Sequence, residues 1–153
     1  MLTSLRFTNF KSWAKADLAC GKITGIFGTN SSGKTSLLQF LLMLKQTRDA
    51  TDRAVTLALD GHLVKLGAIK DAIHRHDDNL SIEFCIDFLF QNGIIALGDK
   101  GSKNRGYLEK EKSMKISASI SAKSRAPKTN QLIYEFGNTN FLMKSLGPND
   151  HEF

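Results

Sequence analysis

The sequence predicts an α/β fold in which one strand–loop–helix unit is joined to an antiparallel β subdomain. Three observations predict it. The apolar run Ile23-Thr24-Gly25-Ile26-Phe27 leads into the glycine-containing loop Gly28 to Ser36, and the loop leads into Leu37 to Leu44, apolar on nearly every face of a helix. After Val55 the apolar residues recur with a period of two, as half-buried strands require. Finally, 153 residues with 41% hydrophobic and 24% charged side chains are one domain's worth of chain that can bury a core, which excludes a disordered tail.

Taken in order, Leu2, Leu5 and Phe7 outline a first strand, and Phe10-Lys11-Ser12-Trp13 is a turn or the start of a second. Ile23 to Phe27 is expected as a buried strand, and Leu37 to Leu44 as a helix packed on a sheet, ending in the polar segment Lys45 to Arg53. Val55, Leu57 and Leu59 alternate up to an Asp60-Gly61 turn, and a short helix is expected around Ala68 to His74. Leu80, Ile82, Phe84, Ile86, Phe88 and Phe90 alternate up to Asn92-Gly93, a pair whose tight turn suits a hairpin with Ile94 to Leu97. Met114 to Ile120, Leu132 to Phe136 and Phe141 to Met143 continue the meander, with loops expected at Gly98 to Gly106 and Ala122 to Asn130.

Composition narrows the setting. Cys20 and Cys85 are too few for a disulfide scaffold, the N-terminus carries no signal-peptide core, and the longest apolar stretch is far short of the roughly 20 residues that cross a bilayer. A cytoplasmic chain without a membrane partner is expected. The net charge of +6 is concentrated: residues 99–128 hold nine basic and three acidic side chains, and the rest is neutral. Such a segment attracts DNA or RNA, or it keeps a strand-rich region soluble and protects its edges.

The strongest chemical signal is Gly28-x-x-x-x-Gly33-Lys34-Thr35, a complete phosphate-binding loop. The ligand explains the residue types. Glycines at both ends let backbone N–H groups turn inward, and the following helix N-terminus favours an anion. Lys34 brings positive charge to the outer phosphates, and the Thr35 hydroxyl is placed to hold Mg²⁺. ATP with Mg²⁺ is therefore the expected ligand. No catalytic residue is assigned, because Asp60 reads as a turn residue and Asp87 as the polar face of an alternating strand. His62, His74 and His76 lack the companions of a zinc site.

These residues carry a family resemblance. A first strand ending in Asn9-Phe10-Lys11-Ser12, followed by Ile26-Phe27-Gly28-Thr29-Asn30-Ser31-Ser32-Gly33-Lys34-Thr35-Ser36-Leu37-Leu38, resembles the head domain of ABC-type ATPases of the RecF, SMC and OLD (overcoming lysogenization defect) group. Asn30 and the Asn-Phe-Lys-Ser segment distinguish that group from kinases and small GTPases. Leu42 to Thr47 and Asp60 to Gly67 are similar to a bacterial branch of OLD-like AAA ATPases, some of which serve in phage defence. The resemblance implies a P-loop ATPase N-terminal lobe, with residues 1–54 as the P-loop segment and 55–153 as an antiparallel β subdomain of the same head. It implies nucleotide binding by Lys11, Ser12, Gly28, Asn30, Ser31, Ser32, Gly33, Lys34, Thr35 and Ser36, with Lys11 and Ser12 on the adenine side.

Such heads carry a Leu-Ser-Gly-Gly signature, an Asp-Glu strand and a switch histidine downstream of the loop. None occurs in these 153 residues, so the chain is expected to be the N-terminal part of a longer head that hydrolyses ATP only as a dimer with a second head. Two other readings stand beside this one. A small P-loop phosphotransferase would need several parallel strands after the loop helix. A non-catalytic nucleic-acid-binding module would use the basic 100–128 region.

Overall fold

Period-two burial builds the sheet. The computed structural model describes residues 1–51, 56–94, 111–124, 126–137 and 139–144. Strand β1 (Leu2–Phe10) turns Leu5 and Phe7 inward and Arg6 and Thr8 outward, then hairpins through Lys11-Ser12 into β2 (Trp13–Ala19). On its other side β1 pairs with β3 (Ser81–Ile94), which puts Leu5 opposite Ile86 and Phe7 opposite Phe84. Strands β4 (Glu111–Ser121), β5 (Lys128–Phe136) and β6 (Thr139–Lys144) extend the sheet to the order β2-β1-β3-β4-β5-β6, and every pairing is antiparallel.

Helix α1 (Lys34–Arg48) lies on the apolar face of this sheet. Leu37, Phe40, Met43 and Gln46, spaced by three, form its buried row. Phe40 stacks on Phe7 at 4.3 Å between ring centroids and meets Phe10 edge-on at 5.0 Å. Phe7 and Phe10 differ in parity, yet both are buried. The reason is Asn9, whose φ of 58° breaks the strand alternation while its side-chain amide donates to the Ser81 carbonyl at 2.8 Å. Residues 57–66 then cross beside α1, followed by α2 (Ile69–Ala72) and a 3-10 turn (His74–His76).

Several expectations are corrected. The antiparallel sheet forms as expected, but with one long helix the described residues are mostly sheet rather than clearly α/β. Ile23 to Phe27 is not a buried strand: Ile23 and Phe27 are 95% and 94% exposed, and the segment pairs with none of the six strands. An apolar run of this kind suits a strand flanked by parallel neighbours. All the described strands come from other segments and pair antiparallel, so it has no neighbour to join. Helix α1 is longer than Leu37 to Leu44 and buried on one face, with Leu38 left 53% exposed.

Leu57 and Leu59 are buried but in irregular backbone, not a strand, and Val55 lies outside the described residues. The Asn92-Gly93 hairpin does not form. Strand β3 runs through it to Ile94, opposite Glu111, and Gly93 at φ 68° sits in an irregularity of the β3–β4 register. The 94–97 pairing and the 98–106 loop fall on residues outside those described beyond Ile94, and the expected 122–130 loop already becomes β5 at Lys128.

Candidate functional site

The phosphate-binding loop sits where α1 begins. Gly33 is the N-cap residue in a left-handed conformation at φ 87°, with no side-chain cap, and no acidic residue occupies the first helical turn. Lys45 and Arg48 meanwhile complement the other end of the helix. The orphan N–H groups and the positive end of the dipole are thus left to an anion.

Within the loop, the Lys34 ammonium donates to the Gly28 carbonyl at 2.8 Å and the Thr29 carbonyl at 2.5 Å, and approaches Ser32 Oγ at 3.4 Å. Ser31 is held at φ 64°. The loop fits its expected ligand by being built too tightly for side chains. A Cβ on Gly28 would stand 2.9 Å from Ser32 Oγ, and one on Gly33 would stand 2.7 Å from Ser12 Oγ. Thr35 is exposed and Ser36 half-buried at the helix start.

The β1–β2 hairpin closes on this loop. Ser12 Oγ lies 3.5 Å from Ser36 Oγ, and the Trp13 indole N–H donates to the Gly33 carbonyl at 3.0 Å. The structure thus brings Ser12 together with Gly33 and Ser36, residues more than twenty positions away. Lys11, at φ 48°, is anchored from the opposite side: its N–H donates to the Ala72 carbonyl at 2.8 Å, and its carbonyl meets His74 Nδ1 at 2.7 Å.

Sequence reasoning missed Trp13. The available signal was its place as the sequence's sole tryptophan, next to Ser12. Asn30 and Ser32 are exposed in the loop, as a residue facing a ligand would be.

The two aspartates weighed as metal ligands are engaged elsewhere. Asp60 Oδ1 accepts from the Leu66 and Gly67 N–H groups at 2.9 and 2.8 Å, so it staples a turn. Asp87 pairs with Arg6 at 2.9 Å on the outer sheet face, and Cys85 and Asp87 together raise the Arg6 pKa above its ordinary value. Among the described residues no group of three or more His, Cys, Asp or Glu side chains is placed to hold a metal.

Of the basic 100–128 region, residues 100–110 and Arg125 lie outside the described residues. Within β4, Lys115 is held by Glu135 at 2.6 Å. A cavity of about 500 Å³ between α1 and the sheet is lined mainly by apolar side chains, among them Leu41, Leu44, Phe84, Phe88 and Leu132. Lys45, Arg48 and Tyr134 also line it, and it lies well away from the Gly28 to Ser36 loop. No described helix is long and apolar enough to cross a membrane.

A family model described as an AAA ATPase domain matches residues 1–146. No curated protein matches the chain. Among solved structures, one from work on the ATP-driven dimerization and DNA-stimulated activation of SMC ATPases is similar over 92% of this chain and 71% of its own, at 19% identity and a TM-score of 0.45.

Proposed function

The chain belongs to the AAA ATPase domain family, and we propose that it is the ATP-binding N-terminal part of an OLD-, RecF- or SMC-like ATPase head. The observation that carries this reading is the loop Gly28 to Ser36 wrapped over the uncapped N-terminus of α1, with Lys34 at its mouth. In this reading the loop N–H groups, with Asn30, Ser31, Ser32 and Ser36, cradle the phosphates. Lys34 exchanges its loop carbonyls for phosphate oxygens. Thr35 holds Mg²⁺, which when bound neutralises charge on the outer phosphates.

Lys11 and Ser12 border the nucleotide on the hairpin side, supported by the Ser12–Ser36 approach. A second head, contributing the missing signature motif, is the proposed partner. DNA-related or anti-phage work is the proposed setting, and it rests on the resemblance of Asn9 to Ser12 and Gly28 to Leu38 to that group. Nothing in the described residues favours the phosphotransferase reading, whose parallel strands are replaced by an antiparallel sheet. Calorimetric titration of the chain with ATP and Mg²⁺ tests the reading. Binding that disappears in Lys34→Ala is expected, and equal binding by that variant would remove the loop as the site.

A further inference from the structure

The carbonyl of Gly33 has two donors. It accepts the first intrahelical bond of α1 from Leu37 N at 3.1 Å, and the Trp13 indole N–H at 3.0 Å. The same peptide unit carries the N–H of Lys34, the first helical donor of the phosphate-binding loop. A hydrogen bond accepted at one end of a peptide polarises the N–H at the other, because bonds in series strengthen one another. The indole also limits where that peptide can stand: a Cβ on Gly33 would lie 2.8 Å from Trp13 Nε1, so the contact is close-packed as well as polar.

The ring is held in turn by the core. Phe7 meets Trp13 edge-on at 6.4 Å and stacks on Phe40 of α1, so one aromatic ring registers both the indole and the helix whose N-terminus it touches. The hairpin that carries Trp13 is itself fastened at Lys11 to Ala72 and His74.

We infer that Trp13 is a positioning residue of the nucleotide site, whose indole N–H on the Gly33 carbonyl fixes the left-handed N-cap and polarises the Lys34 N–H toward phosphate. The inference rests on the proposed ATP-binding reading. It assigns the hairpin a role in setting affinity through the loop backbone, without the indole touching nucleotide.

Trp13→Phe keeps an aromatic ring against Phe7 and removes the donor together with the pyrrole part of the indole. ATP affinity in the presence of Mg²⁺ is expected to weaken about fivefold, the scale of one lost N–H···O bond, with the far-UV circular dichroism unchanged. Trp13→His, which retains a ring N–H, should recover part of the loss. Because Trp13 is the only tryptophan, its emission in the wild-type chain gives a second readout that needs no variant at the hairpin. The emission should shift on saturation with ATP and Mg²⁺, and the same addition should leave Lys34→Ala unchanged.

Wild-type affinity in a folded Trp13→Phe, or an emission spectrum indifferent to saturating nucleotide, would overturn the inference while leaving the ATP-binding reading intact. Undiminished ATP binding by Lys34→Ala would overturn both.

Discussion

Among the described residues no carboxylate pairs with the Lys34 ammonium. Its charge is satisfied by the Gly28 and Thr29 carbonyls and by Ser32 Oγ, the loop's own oxygens. Such neutral acceptors are weaker partners than phosphate, so the side chain is poised to exchange them for an anion. Lys34→Ala should therefore abolish measurable ATP binding yet leave the melting temperature nearly unchanged, since the residue anchors nothing in the core; parallel titration and thermal melts check both halves. Lys115 behaves differently. Its hydrogen bond to Glu135, then the charge of that carboxylate, raises its pKa. A base whose folded pKa is raised contributes stability below its unfolded pKa and loses it as pH rises through the folded value. Glu135→Gln should thus cost at most about 1 kcal/mol at neutral pH, because the pair is partly exposed, and the difference should vanish on the alkaline side of the lysine range. Urea melts across that range would show it. At this scale the loop's place ahead of α1 was legible from its glycine spacing, although the strand expected before it does not form. Trp13 was not, because its contact with Gly33 joins residues twenty positions apart and leaves no periodic trace.

Elements were legible where one face met the core and illegible where context decided. The alternation in β1, β3 and β4 shows in the sequence because each sends one face into the core, which β5 reaches only through Leu132. Asn92-Gly93 carries the residues of a tight turn, but left-handed backbone also suits a break in strand register, and β3 uses Gly93 there. Leu57 and Leu59 alternate for another reason. Their segment is fastened to α1 by Gln46, whose side chain accepts from Val64 N at 3.1 Å and donates to the Val64 and Ala58 carbonyls. A buried amide, 4% exposed, thus replaces a strand ladder. Gln46→Ala would leave buried backbone groups unpaired and should destabilise the chain by about 1–3 kcal/mol per orphaned group, read as a lower denaturant midpoint. Phe40, fully buried between Phe7, Phe10 and Phe84, anchors the same helix more heavily. Its truncation to alanine should cost about 3–5 kcal/mol. A loss below 1 kcal/mol would mean that α1 is not docked through this ring.

For the molecule as a whole, binding and turnover separate. Everything the proposed nucleotide grip requires lies between Asn9 and Ser36 and is assembled by two local events, the hairpin closing on the loop and α1 docking on the sheet. Turnover asks for more: phosphoryl transfer depends on placed carboxylates, an oriented water and charge stabilisation around the moving phosphoryl group. Asp60 is committed to the Leu66 and Gly67 amides and Asp87 to Arg6, on the opposite face of the sheet from α1, so neither is available at the loop. The Ile23–Phe27 segment tells the same story from the standpoint of packing, since its exposed Ile23 and Phe27 present apolar surface that a partner or further sheet would cover. We therefore expect the 153-residue chain to bind ATP yet show negligible Mg²⁺-dependent hydrolysis, and to self-associate as concentration rises. Phosphate release measured alongside light scattering tests the pair of expectations. Turnover at about 1 per second or faster, the ordinary enzyme range, and lost in Lys34→Ala, would place a competent carboxylate within these residues. In that event Asp60→Asn and Asp87→Asn become the decisive variants, because only a residue that leaves its present hydrogen bonds to reach the loop would abolish hydrolysis without abolishing binding.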